Sequence, residues 1–206
     1  MPPCRLCLFR NLRQGRRCAL KCLLFAYLKI PLLKADKPLY PSSLFENCYS
    51  LKSLDLSNFT MLKAANLVSM FKNCYALTSV DLSNFDTSNL ILMTSMFENC
   101  GSLKSLDLSS FSTSKVTDMS NLFSNCTSLE TLTVPFDTSK TQRMQKMFSS
   151  CISLSSLDIT TFNTQNCNDF TEMFENDNLD LYVDSSICPN LIKAEIPQTV
   201  VIHDKN

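Results

Sequence analysis

Met96–Phe123 reads MFENCGSLKSLDLSSFSTSKVTDMSNLF, and its two halves carry different periods. Leu103, Leu106, Leu108 and Phe111 form an L-x-x-L-x-L-x-x-F pattern. Its L-x-L centre alternates as a short half-buried strand does. Ser112-Thr113-Ser114 follows, supplying hydroxyls suited to a helix N-cap. Val116, Met119, Leu122, Phe123 and Cys126 then recur at offsets 0, 3, 6, 7 and 10, which is one face of a helix of about three turns. The spacing predicts a unit of strand, turn, helix, turn.

That unit recurs. FENC, FKNC, FENC, FSNC, FSSC and FEND begin at Phe45, Phe71, Phe97, Phe123, Phe148 and Phe174, at spacings of 26, 26, 26, 25 and 26 residues. One unit cannot bury its own apolar face, so neighbours must stack and equivalent residues form ladders. A first phenylalanine ladder runs through those six positions, and a second through Phe59, Phe85, Phe111, Phe136 and Phe162. Met70, Met96, Met147, Met173, Met93, Met119 and Met144 fill the helix side as core.

The pattern FxNCxSLxSLDLSxFDTSxVxxMxxMF resembles the BspA-type leucine-rich repeat of bacterial and protist surface proteins, over residues 42–185. Thr133-Val134-Pro135 departs from it in place of D-L-S, and the last unit lacks its cysteine. The expected fold is α/β: a right-handed leucine-rich-repeat solenoid of about five and a half 26-residue strand-turn-helix repeats. Parallel strands are predicted near 54–56, 80–82, 106–108, 132–134 and 157–159, with a helix before each FxxC. Residues 1–41 form a basic non-repeat leader, expected to be poorly ordered, and 186–206 a C-terminal cap or tail.

Composition narrows the chemistry. Only two glycines occur, neither in a phosphate-cradling motif, and the one histidine is His203. That removes most His-dependent nucleophiles and zinc sites. Residues 1–35 carry eight Lys/Arg and no acid, whereas 36–206 carry eleven bases against nineteen acids, a net of −8. An acidic body disfavours nucleic acid, whose phosphates need a basic face. In the leader, Lys21 and Lys29 bracket the short apolar run Cys22–Leu28. This run makes a poor signal-peptide core and is too short to span a membrane. Cys4, Cys7, Cys18 and Cys22 loosely imitate a four-thiolate zinc site, but the ten residues between the pairs are few. Because the leader makes a poor capping unit, a longer parent chain is one expectation.

Cys48, Cys74, Cys100, Cys126 and Cys151 hold one position per repeat, which favours small buried hydrophobes with inert thiols over disulfides. Between the strand leucines, the outward positions read Asp55, Asp81, Asp107, Thr133 and Asp158, with Tyr182 at the end, flanked by hydroxyls such as Ser83 and Ser109. Neighbouring carboxylates about 4.8 Å apart repel by roughly 1 kcal/mol even in water. Raised pKa values, serine hydrogen bonds or a cation such as calcium would offset that. A flat ladder offers no pocket for paired acid–base catalysis, so no catalytic residue, metal or cofactor is assigned. The resemblance implies a non-enzymatic adhesion module at the cell surface or secreted, holding a protein or glycan on this face; an intracellular protein-interaction scaffold is the alternative.

Overall fold

The computed structural model describes residues 41–56 and 64–206. Residues 1–40 with their four cysteines, and Phe59 of the second ladder, lie outside the described residues. The described chain winds as a parallel β-solenoid of about six coils. Its strands are β1 (Ser53–Leu54), β2 (Ser79–Val80), β3 (Ser105–Asp107), β4 (Thr131–Thr133), β5 (Ser156–Asp158) and β6 (Asp180–Val183). They begin about one residue earlier than the pattern predicts, and every pairing is parallel: Ser105 faces Thr131 and Asp107 faces Thr133. The tail adds a four-residue helix, α1 (Pro189–Ile192), and a last strand, β7 (Val201–Asp204), which pairs in parallel with β6 and continues the row.

Among the described residues the predicted helices do not form. Within the described residues α1 is the one α-helix, so the α/β leucine-rich-repeat unit is corrected to a β-solenoid coil. Leu90, Met93, Met96, Phe97 and Cys100 are fully buried as expected, but a run of tight turns places them there. Leu90 N–H bonds Thr87 O, Met96 bonds Met93, Cys100 bonds Phe97 and Leu103 bonds Cys100. Each turn closes over three residues, which reproduces the spacing of a helix face without its i→i−4 ladder. The residues between turn in the other direction. Ser95, Phe97 and Asn99 donate to Ser120, Leu122 and Ser124 O of the next coil, at 2.8–3.0 Å. The hydroxyls read as helix caps serve the stack too: Thr113 and Thr138 donate to Asp137 O and Asn163 O, one coil on.

Two residues per coil make this possible. Ser95 and Asn99, and their equivalents in every coil, sit in the left-handed region with φ between 53° and 65°. Left-handed backbone costs a non-glycine residue roughly 1–2 kcal/mol, least for asparagine. In the first five coils each such residue donates its amide to the next coil, so the strained conformation secures the inter-coil bonds.

The core is a set of columns. Phe45, Phe71, Phe97, Phe123, Phe148 and Phe174 stack with centroids 5.3–5.8 Å apart and planes within 15°. Phe136 and Phe162 stack at 6.1 Å. Each buried ring contributes about 2–3 kcal/mol by burial, and stacking adds about 0.5–1.5. Beside them, Cys74, Cys100, Cys126 and Cys151 are free and buried, and each thiol donates to the Phe carbonyl one coil back at 3.2–3.3 Å.

The one short repeat has a local cause. Phe111 N–H bonds Leu108 O over three residues, whereas Phe136 bonds Val134 O at 2.7 Å across Pro135 alone. Proline's fixed φ suits so tight a corner. Positions on either side return to register.

Asn99 provides the test of the backbone argument. Asn99→Val forces a β-branched residue into left-handed backbone and removes the bond from its Nδ2 to Asn73 Oδ1, so it should cost about 2–4 kcal/mol. Asn99→Gly, which keeps the backbone accessible, should cost clearly less. Urea denaturation of both variants checks the order.

Candidate functional site

Parallel pairing sets the outward side chains of the strands in one row. The structure brings Asp81, Asp107, Thr133 and Asp158 onto that face, with Asp55 exposed at its first end. In the register, Asp158 faces Tyr182, and Tyr182 faces His203, so the row changes from carboxylates to rings toward the tail.

Asp81, Asp107 and Asp158 each close a turn at their own strand end. Asp81 Oδ1 accepts from Ser83 N–H at 2.9 Å and Asp107 Oδ1 from Ser109 N–H at 2.8 Å. Asp158 Oδ1 accepts from both the amide and the hydroxyl of Thr160, at 3.0 and 2.7 Å. Ser83 and Ser109 therefore act first as turn partners of the aspartates. Of the three offsets to charge repulsion, hydrogen bonding is the one the geometry supplies. The pKa values move down rather than up. The Ser83 amide, then its hydroxyl, hold the Asp81 carboxyl below its usual range, and Ser109 does the same for Asp107. Partial burial raises Asp158, but Lys205 and Thr160 outweigh it and bring it to about 2. These groups are carboxylates at neutral pH.

The second oxygen differs along the row. Asp158 Oδ2 pairs with Lys205 Nζ at 2.7 Å. Lys205 lies 4.6 Å above the Tyr182 ring, Tyr182 stacks on His203 at 4.8 Å, and His203 Nε2 meets Asp180 Oδ1 at 2.9 Å. The sequence places Tyr182 at the end of this row, as observed, but His203 and Lys205 went unread, although the apolar run Val200-Val201-Ile202 before His203 is a strand signal. Thr133 interrupts the carboxylates. Beside it the shortened corner opens a shallow groove of about 310 Å3, lined by Thr133, Pro135, Asp158 and Thr160 among others.

The described thiols are all buried, which disfavours them as nucleophiles. Burial pushes Cys100, Cys126 and Cys151 far above the ordinary thiol value, and Cys167 to about 11. The sixth member of that column is Asp177, 1% exposed, with neither carboxyl oxygen hydrogen-bonded among the described residues. Burial pushes its pKa up to about 7, against a smaller opposing pull from the Cys151 amide. Among the described residues, no cluster of three or more His, Cys, Asp or Glu is placed to hold a metal ion, and no helix is long and apolar enough to cross a membrane.

The family model described as "Mycoplasma protein of unknown function, DUF285" matches residues 41–131 and 93–184, and the chain belongs to that family. The two matches together cover the coils from the first Phe–Cys corner to β6. No curated protein matches the chain.

Asp177 carries a testable pH dependence. Its folded pKa lies above its unfolded value near 3.8, so the protonated form favours folding. Its cost to stability is absent below about pH 4, grows through the interval and is complete above about pH 7. Asp177→Cys restores the column residue. The gain in melting temperature of Asp177→Cys over the natural chain should be larger at pH 8 than at pH 5; an equal gain at both contradicts the reading.

Proposed function

We propose that this member of the repeat family is a non-enzymatic binding module of the BspA-like adhesion kind, displayed at the cell surface or secreted, which holds a protein partner with basic side chains against its strand face. The observation that carries this reading is the choice of aspartate. Turns of the same type close elsewhere in the coils with either residue. Asn66, Asp118 and Asp169 hold one corner, and Asp86, Asp137 and Asn163 another. The turn itself does not require charge. On the strand face the turn-closing residues are Asp81, Asp107 and Asp158, although neighbouring carboxylates repel. A row that keeps its charge at that cost suits a partner of opposite sign, or a cation bridging to a glycan. Single contacts with solvated carboxylates are weak, and strength comes from their repetition along the array.

The test uses a Lys/Arg-rich dodecapeptide immobilised on a sensor surface. The full chain should bind it with an affinity that falls as salt rises. The double variant Asp81→Asn, Asp107→Asn keeps shape and turns, and should lose most of that binding and most of the salt dependence. Unchanged affinity and unchanged salt slope in a folded double variant would falsify the proposal.

A further inference from the structure

The residue after each member of the cysteine column is exposed or half-buried, and along the solenoid that position reads Tyr49, Tyr75, Gly101, Thr127, Ile152 and Asn178. Tyr49 and Tyr75 stack with centroids 5.6 Å apart and planes 19° apart, yet remain 54% and 49% exposed. Coils repeat about every 4.8 Å, so this stack runs along the solenoid. The second face of Tyr75 therefore looks toward the next equivalent position, which is Gly101.

Nothing in the fold demands glycine at 101. Its φ is not positive. A Cβ placed there would meet Thr127 Oγ1 at 3.5 Å, an ordinary contact. In a chain with two glycines, this one has as its main effect the uncovering of an aromatic face. Tyr75 and Thr127 stand two coils apart, about 9.6 Å. A flat group in contact on both sides needs about 7–8 Å, twice an ordinary carbon contact. Thr127 Oγ1 donates to Gly101 O at 3.3 Å, so the far wall is this hydroxyl folded onto the floor, and the coil spacing leaves room for one ring on Tyr75.

The polar surroundings narrow the occupant. Asn73 Nδ2 donates to Asn47 Oδ1 and Asn99 Nδ2 to Asn73 Oδ1, both at 2.7 Å. The chain of amides stops there, because Asn125 Nδ2 turns instead to Ser124 Oγ. Asn99 Oδ1 thus receives no hydrogen bond among the described residues, two positions before Gly101. Ser102 supplies a hydroxyl next to it. These groups are neutral, and the exposed Lys104 in the coil of Gly101 itself opposes a cationic guest, with the one acid at that position, Glu130, a coil further on. An apolar ring face with hydroxyls at its rim is the chemistry of a pyranose, whose C–H groups pack on an aromatic face while its rim takes amides and hydroxyls. We infer that the slot between Tyr75 and Thr127, floored by Gly101, is a carbohydrate subsite in which a sugar ring stacks on Tyr75 and bonds Asn99 Oδ1. It lies apart from the aspartate row and does not depend on that row having a partner.

Saturation-transfer NMR on the full chain tests it, with cellotriose, chitotriose, maltotriose and N-acetyl-arginine amide as probes. Irradiating the aromatic protons should transfer to ring C–H protons of at least one trisaccharide. Gly101→Tyr extends the stack and fills the slot, and Tyr75→Ala removes the platform; each should abolish the transfer. The double variant Asp81→Asn, Asp107→Asn should leave it intact, which separates this subsite from the strand-face reading. Circular dichroism establishes that each variant is folded, and if Gly101→Tyr is not, Gly101→Leu takes its place. No transfer to any trisaccharide overturns the inference. So does transfer that survives both slot variants, or displacement of the sugars by the arginine amide.

Discussion

In the turn segment each interior coil gives N–H groups to the coil after it and takes them, on its carbonyls, from the coil before. Phe45, Phe71 and Phe97 N–H bond to Met70, Met96 and Leu122 O in turn. This one-way bonding is the constraint from which the rest follows. It requires each coil to present amides on one side and carbonyls on the other, which right-handed helix and ordinary strand both fail to do over a corner. Paired left-handed residues four positions apart meet the requirement, and serine or asparagine fills most of those positions. The direction also leaves an end. Glu172, Phe174 and Asn176 continue the donor row in the last coil, and their amides meet no acceptor among the described residues; β7 extends the strand row but not this one.

Translation by one coil turns each buried position into a column, and columns tolerate only what stacks. Flat rings meet that condition, and so does a small thiol. The cysteine has a further reason: the carbonyl it reaches already accepts one bond, so that Phe97 O takes both Cys100 N–H and, one coil on, Cys126 Sγ–H. A weak second donor suits an oxygen with one lone pair left. Asp177 shows what the column does to another chemistry, because the same place leaves its carboxyl desolvated.

The columns, the strand row and the burial of the cysteines were legible in the sequence, because stacking acts on side-chain type and the period displays it directly. The helices were misread for a physical reason. Successive turns that each close over three residues place Leu90, Met93 and Met96 at the same spacing as a helix face, and side-chain periodicity cannot tell a helix from a polygon of turns. A backbone signal did separate them. Serine or asparagine recurs four residues before the asparagine of most FxNC corners, as in Ser95 and Asn99 or Asn121 and Asn125, in a chain nearly without glycine. Asparagine is the residue that replaces glycine in left-handed backbone, and two such positions inside one supposed helix argue against it. Tail strand β7 was overlooked because it lies beyond the repeat and is short.

Inward and outward positions are under different demands. Inward residues answer to the column, and a change at one coil strains both neighbours. Outward residues answer only to the turn each must close, and the turn asks for one oxygen. The strand face meets that need with a carboxylate, leaving at Asp81 and Asp107 a second oxygen that no turn uses. Solvent keeps the repulsion between coils to roughly 1 kcal/mol or less per neighbour, small beside what a buried phenylalanine contributes. A solenoid held by its columns can therefore carry a charged face without endangering the fold. Its strength is spent inside, and the chemistry of recognition varies outside, coil by coil, as the change from Asp107 to Thr133 and from Tyr75 to Gly101 illustrates.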